Sequence, residues 1–299
     1  MKASLIIPTY NRGEVLCKTL EMALKQAFDD YEVIVVDQTP AYAPAVQEYL
    51  DSLASRIRYY KLTYPNVSAA RNLGIRMAKG EILIFIDDDV IISKDFIISH
   101  VRNFTDEKIG GVMGLILGSQ DADLKDYLAI AKSRFLACAE VNLGDIVAVE
   151  WLPSTNVSYR CRALLEAGMF DEYLRTSCED VDMSIRVRAI GYQLLLDTKI
   201  KLVHLALSYG GCEEWDPKFS EQKEYEGCLY NNYFLLKNWR IIGFWDTLEQ
   251  LFNGYRSYAF SRSVIKKGLY RCLQRNLRYI KLIKRVIVDL KKRKRILYS

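Results

Sequence analysis

Three consecutive aspartates, Asp87, Asp88 and Asp89, directly follow the apolar run Ile82–Ile86. The run is mostly β-branched or aromatic, which is typical of a strand covered on both faces in a parallel sheet. Adjacent carboxylates repel one another, so a folded chain tolerates them mainly when a cation or a donor-rich ligand lies among them. Ligands of open α/β sheets bind at the carboxyl ends of strands. This stretch therefore predicts a Mg²⁺ or Mn²⁺ site for a phosphate-bearing substrate, with a solvated acidic turn as the alternative.

Two further acids, Glu179 and Asp180, begin the amphipathic pattern Glu179–Ile190, which predicts a helix. Carboxylates are common in a first helical turn because the helix dipole favours them there. At a cleft, one of them could instead be a general base that takes the proton from an attacking hydroxyl group. The residue types leave the choice between Glu179 and Asp180 open.

Alternating strand and helix patterns position these acids. The predicted strands are Ala3–Pro8, Glu32–Asp37, Ile57–Lys61, Ile82–Ile86, Gly111–Leu117, Val147–Leu152, Val157–Arg160, Gln193–Asp197 and Lys201–Leu205. The predicted helices are Glu14–Gln26, Val46–Ser55, Ser68–Lys79, Asp95–Phe104 and Ala122–Glu140, and Ser208–Ser220 is predicted to be a loop that closes over the donor. This spacing predicts right-handed βαβ units, hence an α/β fold with a mostly parallel nucleotide-binding sheet and flanking helices.

The sequence contains no glycine-rich phosphate loop of the G-x-G-x-x-G or P-loop type, so a metal and side chains are expected to hold phosphates. Asp37, at a strand end, can accept a hydrogen bond from the N3–H of uracil or thymine, or can cap the next helix. Arg71 follows a predicted helix start and can contact a nucleotide or form a surface salt bridge.

Trp151, Ser154 and Asn156 surround a predicted turn and are expected to line a sugar or acceptor pocket. A Trp face can stack on a sugar ring, and the two polar side chains offer hydrogen bonds; a core aromatic beside a turn is the alternative. His100 lies inside a helical pattern and is expected to be structural.

Five motifs, in this order, resemble glycosyltransferase family 2: Pro8-Thr9-Tyr10-Asn11, Val35-Val36-Asp37, Ser68-Ala69-Ala70-Arg71-Asn72, Phe85-Ile86-Asp87-Asp88-Asp89 and Cys178-Glu179-Asp180-Val181-Asp182. Members of that family are inverting nucleotide-sugar transferases with the glycosyltransferase A-type fold, and the resemblance covers roughly Ser4 to His204. One departure is Gln38-Thr39-Pro40 after Asp37, where the family often has a second acid or Gly-Ser. This departure concerns base or donor specificity, not the reaction class.

The resemblance implies roles for the matching residues. Asp180 is favoured as the general base beside Glu179, and Asp89 and His204 are implied ligands of Mn²⁺ or Mg²⁺. The expected nucleotide-binding residues are Pro8, Thr9, Tyr10, Asn11, Arg12, Asp37, Arg71, Asp87 and Asp88. The implied donor is a UDP or dTDP sugar, and the implied acceptor is a glycan or lipid-linked hydroxyl in surface polysaccharide or glycolipid synthesis.

The composition is that of a globular protein: of 299 residues, 50% are hydrophobic and 26% charged. No apolar run approaches the ~18 residues of a membrane span, and the start lacks the apolar core of a signal peptide. The 7 cysteines are scattered without a C-x-x-C pair, which suits reduced thiols better than a disulfide or zinc framework. We therefore expect a cytoplasmic protein.

The charge is distributed unevenly, because residues 262–299 carry 14 Lys or Arg and one acid, while the rest has a net charge of −8. Apolar positions from Leu269 to Leu290 recur every three or four residues with Lys and Arg between them, which predicts a basic amphipathic helix. Such a helix could bind an anionic membrane surface, giving a peripheral position on the inner face of the membrane, or dock on the protein body. A nucleic-acid partner is not expected.

These patterns predict a catalytic domain over residues 1–215 and a C-terminal helical region over residues 216–299. Two other functions would suit a nucleotide-binding fold. A sugar-nucleotide pyrophosphorylase is disfavoured because a glycine-rich loop after the first strand is missing. A non-catalytic adaptor for a membrane or nucleic acid would lack the metal-dependent protection by UDP that an enzyme should show in a thermal melt.

Overall fold

The structure is a computed structural model and describes residues 1–118, 141–207, 209–211, 220–260 and 269–297. The chain divides into two compact units, Met1–Trp215 and Asp216–Ser299. The helix predicted at Ala122–Glu140 lies outside the described residues, as does most of the loop predicted at Ser208–Ser220. Seven residues at the start of the basic tail, 262–268, lie outside them too.

The first unit is built on one sheet of nine described strands in the order β3-β2-β1-β4-β8-β6-β9-β5, with β7 paired to β9. The strands are β1 Ala3–Thr9, β2 Tyr31–Asp37, β3 Arg58–Lys61, β4 Ile82–Ile86, β5 Val90–Ile92, β6 Ile109–Gly118, β7 Ile146–Ala148, β8 Asn156–Arg160 and β9 Gln193–His204. The four strands β3, β2, β1 and β4 are parallel, as the βαβ spacing predicts. Beyond them β8 runs antiparallel to β4 and β6, so the complete sheet is mixed.

The segments predicted as two strands, Gln193–Asp197 and Lys201–Leu205, form the single strand β9. Polar residues in the middle hide this continuity in the sequence. Asp197 is nevertheless fully buried, because the side-chain amide of Asn103 donates a hydrogen bond of 3.0 Å to its carboxylate. The pairing of β9 with β6 shifts register between Met113 and Leu115.

Six helices of the first unit cover the two faces of the sheet: α1 Gly13–Ala23, α2 Pro44–Ser52, α3 Val67–Met77, α4 Phe96–Val101, α5 Cys161–Glu166 and α6 Glu179–Ala189. Strand β4 explains the uninterrupted apolar run. Its residues Ile82, Ile84 and Ile86 pack into one buried cluster with α1, α2 and α4, and Leu83 and Phe85 pack into a second cluster with α3, α5 and α6. A strand covered on both faces must be apolar at every position.

The second unit contains four described helices: α7 Ser220–Lys237, α8 Trp239–Ile242, α9 Phe244–Phe260 and α10 Leu269–Leu297. Tyr279 on α10 is buried, and its hydroxyl group donates a 2.8 Å hydrogen bond to the side-chain oxygen of Asn232 on α7. Arg275 donates to the backbone oxygen of Tyr258 on α9, so α10 packs on both earlier helices. None of the described helices has the length of uncharged, apolar sequence that crossing a bilayer requires.

The side chain of His100 on α4 is completely buried against β8 and is structural. Its Nδ1 lies 2.9 Å from Ser158 Oγ, and its Nε2 lies 3.0 Å from Asn156 Oδ1. Burial lowers the pKa of His100 to about 4, because a charged imidazole in this apolar layer would lose its hydration. The ring therefore stays neutral at physiological pH and joins the helix to the sheet.

We predict that the free energy of unfolding falls as the pH is lowered from about 6.5 towards about 4. In this window an unfolded His100 binds a proton that the folded one does not, so acid favours unfolding. With a folded-state pKa of about 4, the loss by pH ~4.5 should be about 2 to 3 kcal/mol. Urea denaturation of the wild type and of His100→Gln measures it. An equal pH dependence in both proteins would contradict the prediction.

Candidate active site

A cavity of about 570 Å³ lies at the carboxyl ends of β1 and β4, where the predicted acids meet. Its lining includes Pro8, Thr9, Tyr10, Arg12, Gln38, Arg71, Asp87, Asp88, Asp89, Thr155, Glu179, His204, Leu207 and Gly211. A larger cavity of about 690 Å³ lies at the opposite edge of the sheet, beside the start of β4. We place the site in the smaller cavity because it contains the aspartate cluster and ligands of α/β sheets bind at carboxyl ends.

Asp87, Asp89 and His204 bring three potential metal-ligating atoms within 4.8 Å of one another. His204 Nε2 lies 3.5 Å from an oxygen of Asp87 and 3.3 Å from an oxygen of Asp89. The antiparallel pairing of β5 with β9 produces this arrangement, because it sets Val90 opposite His204. Its hydrogen bond with Asp87 raises the pKa of His204. Two carboxylates and one imidazole are a donor set that fits Mn²⁺ well and Mg²⁺ less well.

Asp88 lies between these two aspartates in sequence and has a different environment. Thr9 Oγ1 donates a 2.6 Å hydrogen bond to its carboxylate, and Thr19 Oγ1 donates to its backbone oxygen. Burial raises the pKa of Asp88 to about 7, because solvent does not reach the carboxylate to stabilise its charge. Asp88 therefore joins β1, α1 and β4 beneath the cavity.

Arg12 is buried beside the acidic cluster. Its Nη1 donates a 3.0 Å hydrogen bond to Asp89, and its Nε lies 3.9 Å from Asp88 but has no hydrogen-bond partner. Gly210 and Gly211, both with positive φ, pack against this side chain, and a Cβ atom on Gly210 would lie only 2.6 Å from the backbone oxygen of Asn11. The glycine pair thus allows the backbone to approach Arg12 closely.

Arg71 and Glu179 form a buried ion pair across the cavity, with 2.9 Å between Nη1 and Oε1. The guanidinium also lies over the ring of Phe170 and is close enough to Asp87 and Asp180 for their charges to raise its pKa. Among the described residues, Arg71 Nε and Arg12 Nε are the two buried side-chain nitrogen or oxygen atoms without a hydrogen-bond partner. Both border the same cavity, so both guanidinium groups can still donate to an anion.

Asp180 follows Glu179 at the start of α6 and differs from it. Glu179 lines the cavity and is neutralised by Arg71, whereas Asp180 forms no ion pair within the described residues. One oxygen of Asp180 accepts the backbone N–H of Val181. Burial and the charge of Glu179 raise the pKa of Asp180 to about 7, the range expected of a general base that works at neutral pH.

Asp37 does not line the cavity, and donors from its own chain occupy its carboxylate. One oxygen accepts the backbone N–H of Thr39 at 2.7 Å and the hydroxyl group of Tyr42. The other accepts Lys61 Nζ at 2.8 Å and the hydroxyl group of Tyr59. A base N3–H could therefore bind Asp37 only by displacing one of these donors. Asn11 is likewise outside the lining; its backbone N–H donates to Thr39.

The structure corrects the prediction that Asn156 binds the sugar or acceptor. Its side chain is fully buried in β8, where it contacts His100 and donates to the backbone oxygen of Leu115. Successive side chains near a strand point in opposite directions, and here the preceding residue faces the cavity. Thr155 Oγ1 donates a 2.7 Å hydrogen bond to Asp87, which sequence reasoning missed although Thr155 lies within the predicted turn. Neither Trp151 nor Ser154 is among the lining residues, and their acceptor role stays a prediction.

Comparison with known proteins identifies relatives of this chain. The sequence profile of Glycosyl transferase family 2 matches residues 4–172, more than half of the chain. The uncharacterized glycosyltransferase YfnE of Bacillus subtilis is 26% identical over 257 residues, which cover 68% of this chain and 64% of YfnE. TarS of Staphylococcus aureus, a poly(ribitol-phosphate) β-N-acetylglucosaminyltransferase, is 30% identical over 125 residues, or 38% of this chain and 22% of TarS. The chain thus spans less than two thirds of these relatives.

Solved structures share the fold. Residues 1–349 of TarS in complex with UDP-GlcNAc superpose with a TM-score of 0.64 at 18% identity, covering 96% of this chain and 83% of that one. The mannosyltransferase PcManGT of Pyrobaculum calidifontis, in complex with GDP-Man and Mn²⁺, gives a TM-score of 0.57 at 14% identity, covering 100% and 81%. These likenesses confirm the predicted α/β fold of the glycosyltransferase A type.

We predict that the buried Arg71–Glu179 pair is strongly coupled. Arg71→Met should destabilise the protein by about 3 to 5 kcal/mol, because it leaves Glu179 buried without its partner. Arg71→Met combined with Glu179→Leu should be more stable than Arg71→Met alone, because no unpaired charge remains. Chemical denaturation of the single and double variants gives the coupling free energy. The exposed pair of Arg162 and Glu166 is the matched control, and Arg162→Met should change stability little. Additive effects at Arg71 and Glu179 would contradict the prediction.

Proposed function

Since the chain belongs to glycosyl transferase family 2, we propose that it is an inverting, metal-dependent glycosyltransferase that moves a sugar from a UDP or dTDP donor to an acceptor hydroxyl group. The observation that carries this proposal is one cavity that holds a carboxylate–imidazole cluster, two buried arginines with a free N–H each, and an acid pair at a helix start. A sugar-nucleotide pyrophosphorylase is disfavoured by the missing glycine-rich loop after β1.

The donor's diphosphate is the group for which the arginines are suited. Arg12 and Arg71 are both buried, so little solvent competes with an anion for their unpaired Nε–H groups. Asp87, Asp89 and His204 would hold the divalent ion, Mn²⁺ or Mg²⁺. When bound, such an ion supplies charge that stabilises the leaving nucleoside diphosphate. Solved relatives of the fold contain UDP-GlcNAc in TarS, and GDP-Man with Mn²⁺ in PcManGT, which supports this class of donor and ion.

The acceptor is activated by Asp180 in this proposal. With a pKa near 7, Asp180 is largely deprotonated at neutral or slightly alkaline pH and can take the proton from the acceptor hydroxyl group at its carboxylate oxygen. The acceptor oxygen then attacks the anomeric carbon on the face opposite the diphosphate, which inverts the configuration in one displacement. Glu179, held by Arg71, fixes the start of α6 and raises the pKa of Asp180 through its charge.

The acceptor is proposed to be a glycan or a lipid-linked hydroxyl in surface polysaccharide or glycolipid synthesis. The name of TarS, a transferase acting on poly(ribitol-phosphate), supports a surface polymer. A peripheral position on the inner face of a membrane, through the basic residues 262–299, suits a lipid-linked acceptor. A non-catalytic adaptor would not require the raised pKa of Asp180 or the metal-ligating cluster.

We predict that Asp180→Asn lowers kcat by about 10²- to 10⁴-fold while donor binding changes little, because the amide cannot take a proton. In the wild type, kcat/KM should fall about tenfold per pH unit below the pKa of Asp180, near pH 7. Steady-state transfer assays across pH, with donor affinity measured by calorimetry, test both statements. The control Glu166→Gln lies in the other cavity and should leave kcat unchanged. Unchanged turnover in Asp180→Asn would remove Asp180 from the mechanism.

We also predict that UDP stabilises the protein against heat only when Mn²⁺ is present, by about 2.7 kcal/mol at one hundred times its Kd. Asp89→Asn and His204→Gln should each lose this metal-dependent stabilisation, because each removes one ligand from the cluster. Thermal melts with Mn²⁺ or EDTA, and calorimetric titration with Mn²⁺, provide the measurement. Equal protection by UDP in EDTA would show that binding does not need the metal.

A further inference from the structure

Helix α9 exposes an aromatic stripe that none of the preceding assignments uses. The stripe consists of Phe244, Trp245, Leu248 and Phe252, which are 54%, 78%, 42% and 58% exposed. Their spacing of three or four residues places them on one side of the helix. The helix buries a different side, with Thr247, Tyr258 and Ala259, against the rest of the second unit, so the stripe is additional to the face that folds the protein.

Single exposed apolar residues are normal on protein surfaces, but a continuous group of large ones marks an interaction site. The rings of Phe244 and Trp245 also contact each other edge to face, with 5.2 Å between their centroids. Trp and Phe are the residues that amphipathic helices insert at the boundary between lipid headgroups and acyl chains. The composition of the stripe therefore favours a bilayer surface.

Helix α10 is apolar on two sides. One side, with Tyr279, Leu282 and Val286, is buried in the second unit and satisfies the docking alternative considered for the sequence pattern. The opposite side exposes a second apolar stripe, in which Leu273, Leu277 and Ile280 are 55%, 62% and 53% exposed. Docking on the protein therefore accounts for only one of the two stripes.

The charge of the second unit specifies the chemistry of the partner. Residues 216–299 contain 19 Lys or Arg and 7 Asp or Glu, and α10 alone contains 11 Lys or Arg and one acid. Lys284 and Lys291 continue the exposed side of α10 beyond Ile280 at helical spacing. Exposed Leu and Ile among lysines would be desolvated poorly by a nucleic acid, but lipid headgroups bind the lysines while acyl chains cover the apolar atoms.

We propose that the second unit is a monotopic membrane-binding module in which the aromatic stripe of α9 inserts into an anionic bilayer and the cations of α10 bind the lipid phosphates. The inference deepens the peripheral location proposed for residues 262–299 by adding an insertion element outside that segment. It does not depend on the catalytic assignment, because its readout is the burial of one side chain in lipid.

Trp245 is a direct reporter of insertion, since it is the most exposed of the four aromatic-stripe residues. The full-length protein is mixed with vesicles of equal parts phosphatidylcholine and phosphatidylglycerol, and tryptophan emission is recorded. We expect a shift of the emission maximum to shorter wavelength and quenching by brominated phosphatidylcholine. Trp245→Phe should lose most of both signals although it still binds. Binding without any shift, or equal signals in Trp245→Phe, would overturn insertion by the stripe.

Vesicle flotation separates insertion from charge attraction. The variant Trp245→Ser with Phe252→Ser should lower partitioning about tenfold or more, because two inserting side chains are lost. The matched control is Leu165→Ser with Ile190→Ser, which removes two residues of similar exposure, 52% and 46%, from the first unit and should not change flotation. Circular dichroism and Mn²⁺-dependent UDP binding should be unaffected in both variants, so failure of catalysis and failure of membrane binding are distinguished.

Two other occupants would give different results. If the stripe joins two copies of the chain, sedimentation without vesicles will show a dimer that Trp245→Ser with Phe252→Ser converts to a monomer, and flotation will be absent. If only charge matters, Lys284→Glu with Lys291→Glu will abolish flotation whereas the stripe variant floats like the wild type. Either result overturns the proposal.

Discussion

The compensation of buried carboxylates is the interaction on which the site depends. Asp88, Asp89 and Glu179 are buried near one another at one edge of the sheet, where unpaired charges would cost several kcal/mol each. Arg12 and Arg71 compensate them in two places, Arg12 on the aspartate cluster and Arg71 on the start of α6. Hydroxyl donors complete the arrangement, with Thr9 on Asp88 and Thr155 on Asp87. Because each carboxylate is held by a partner, the cavity keeps its shape before a ligand binds.

The topology of the sheet brings these partners together from distant parts of the chain. Parallel pairing of β1 with β4 sets the Thr9 end of one strand beside the aspartates of the other. The antiparallel strands β8 and β9 then contribute from the second half of the domain, since Thr155 precedes β8 and His204 ends β9. A purely parallel sheet would not deliver either residue to this edge by such short connections.

Much of this arrangement could be predicted from the sequence, because it follows from local patterns. The doubly covered strand β4 is legible as an apolar run, and the acids after it mark the carboxyl edge. The environment of Asp37 was not predictable, because Tyr42, Tyr59 and Lys61 converge on it from a loop and a neighbouring strand. Asn156 was misassigned because the direction of its side chain depends on which residue begins β8, a boundary that turn residues before the strand do not define. The ion pair of Arg71 with Glu179 joins residues 108 positions apart and leaves no local signal.

The charge balance of the cavity gives a physical reason for a metal that is independent of any comparison. Asp87, Asp89 and Glu179 bring three negative charges when ionised, and Asp88 adds a partial one because its pKa is about 7. Arg12 and Arg71 supply two positive charges, and His204 contributes a third when protonated, so the cavity is close to neutral or slightly acidic. A donor diphosphate would then add negative charge to a site with no surplus of cations, within about 4 Å of carboxylates where repulsion is strong. A divalent ion reverses this balance. It would share Asp87, Asp89 and His204 with the phosphates and leave the unpaired N–H groups of both arginines to the donor, which favours binding of metal and nucleotide sugar as one unit.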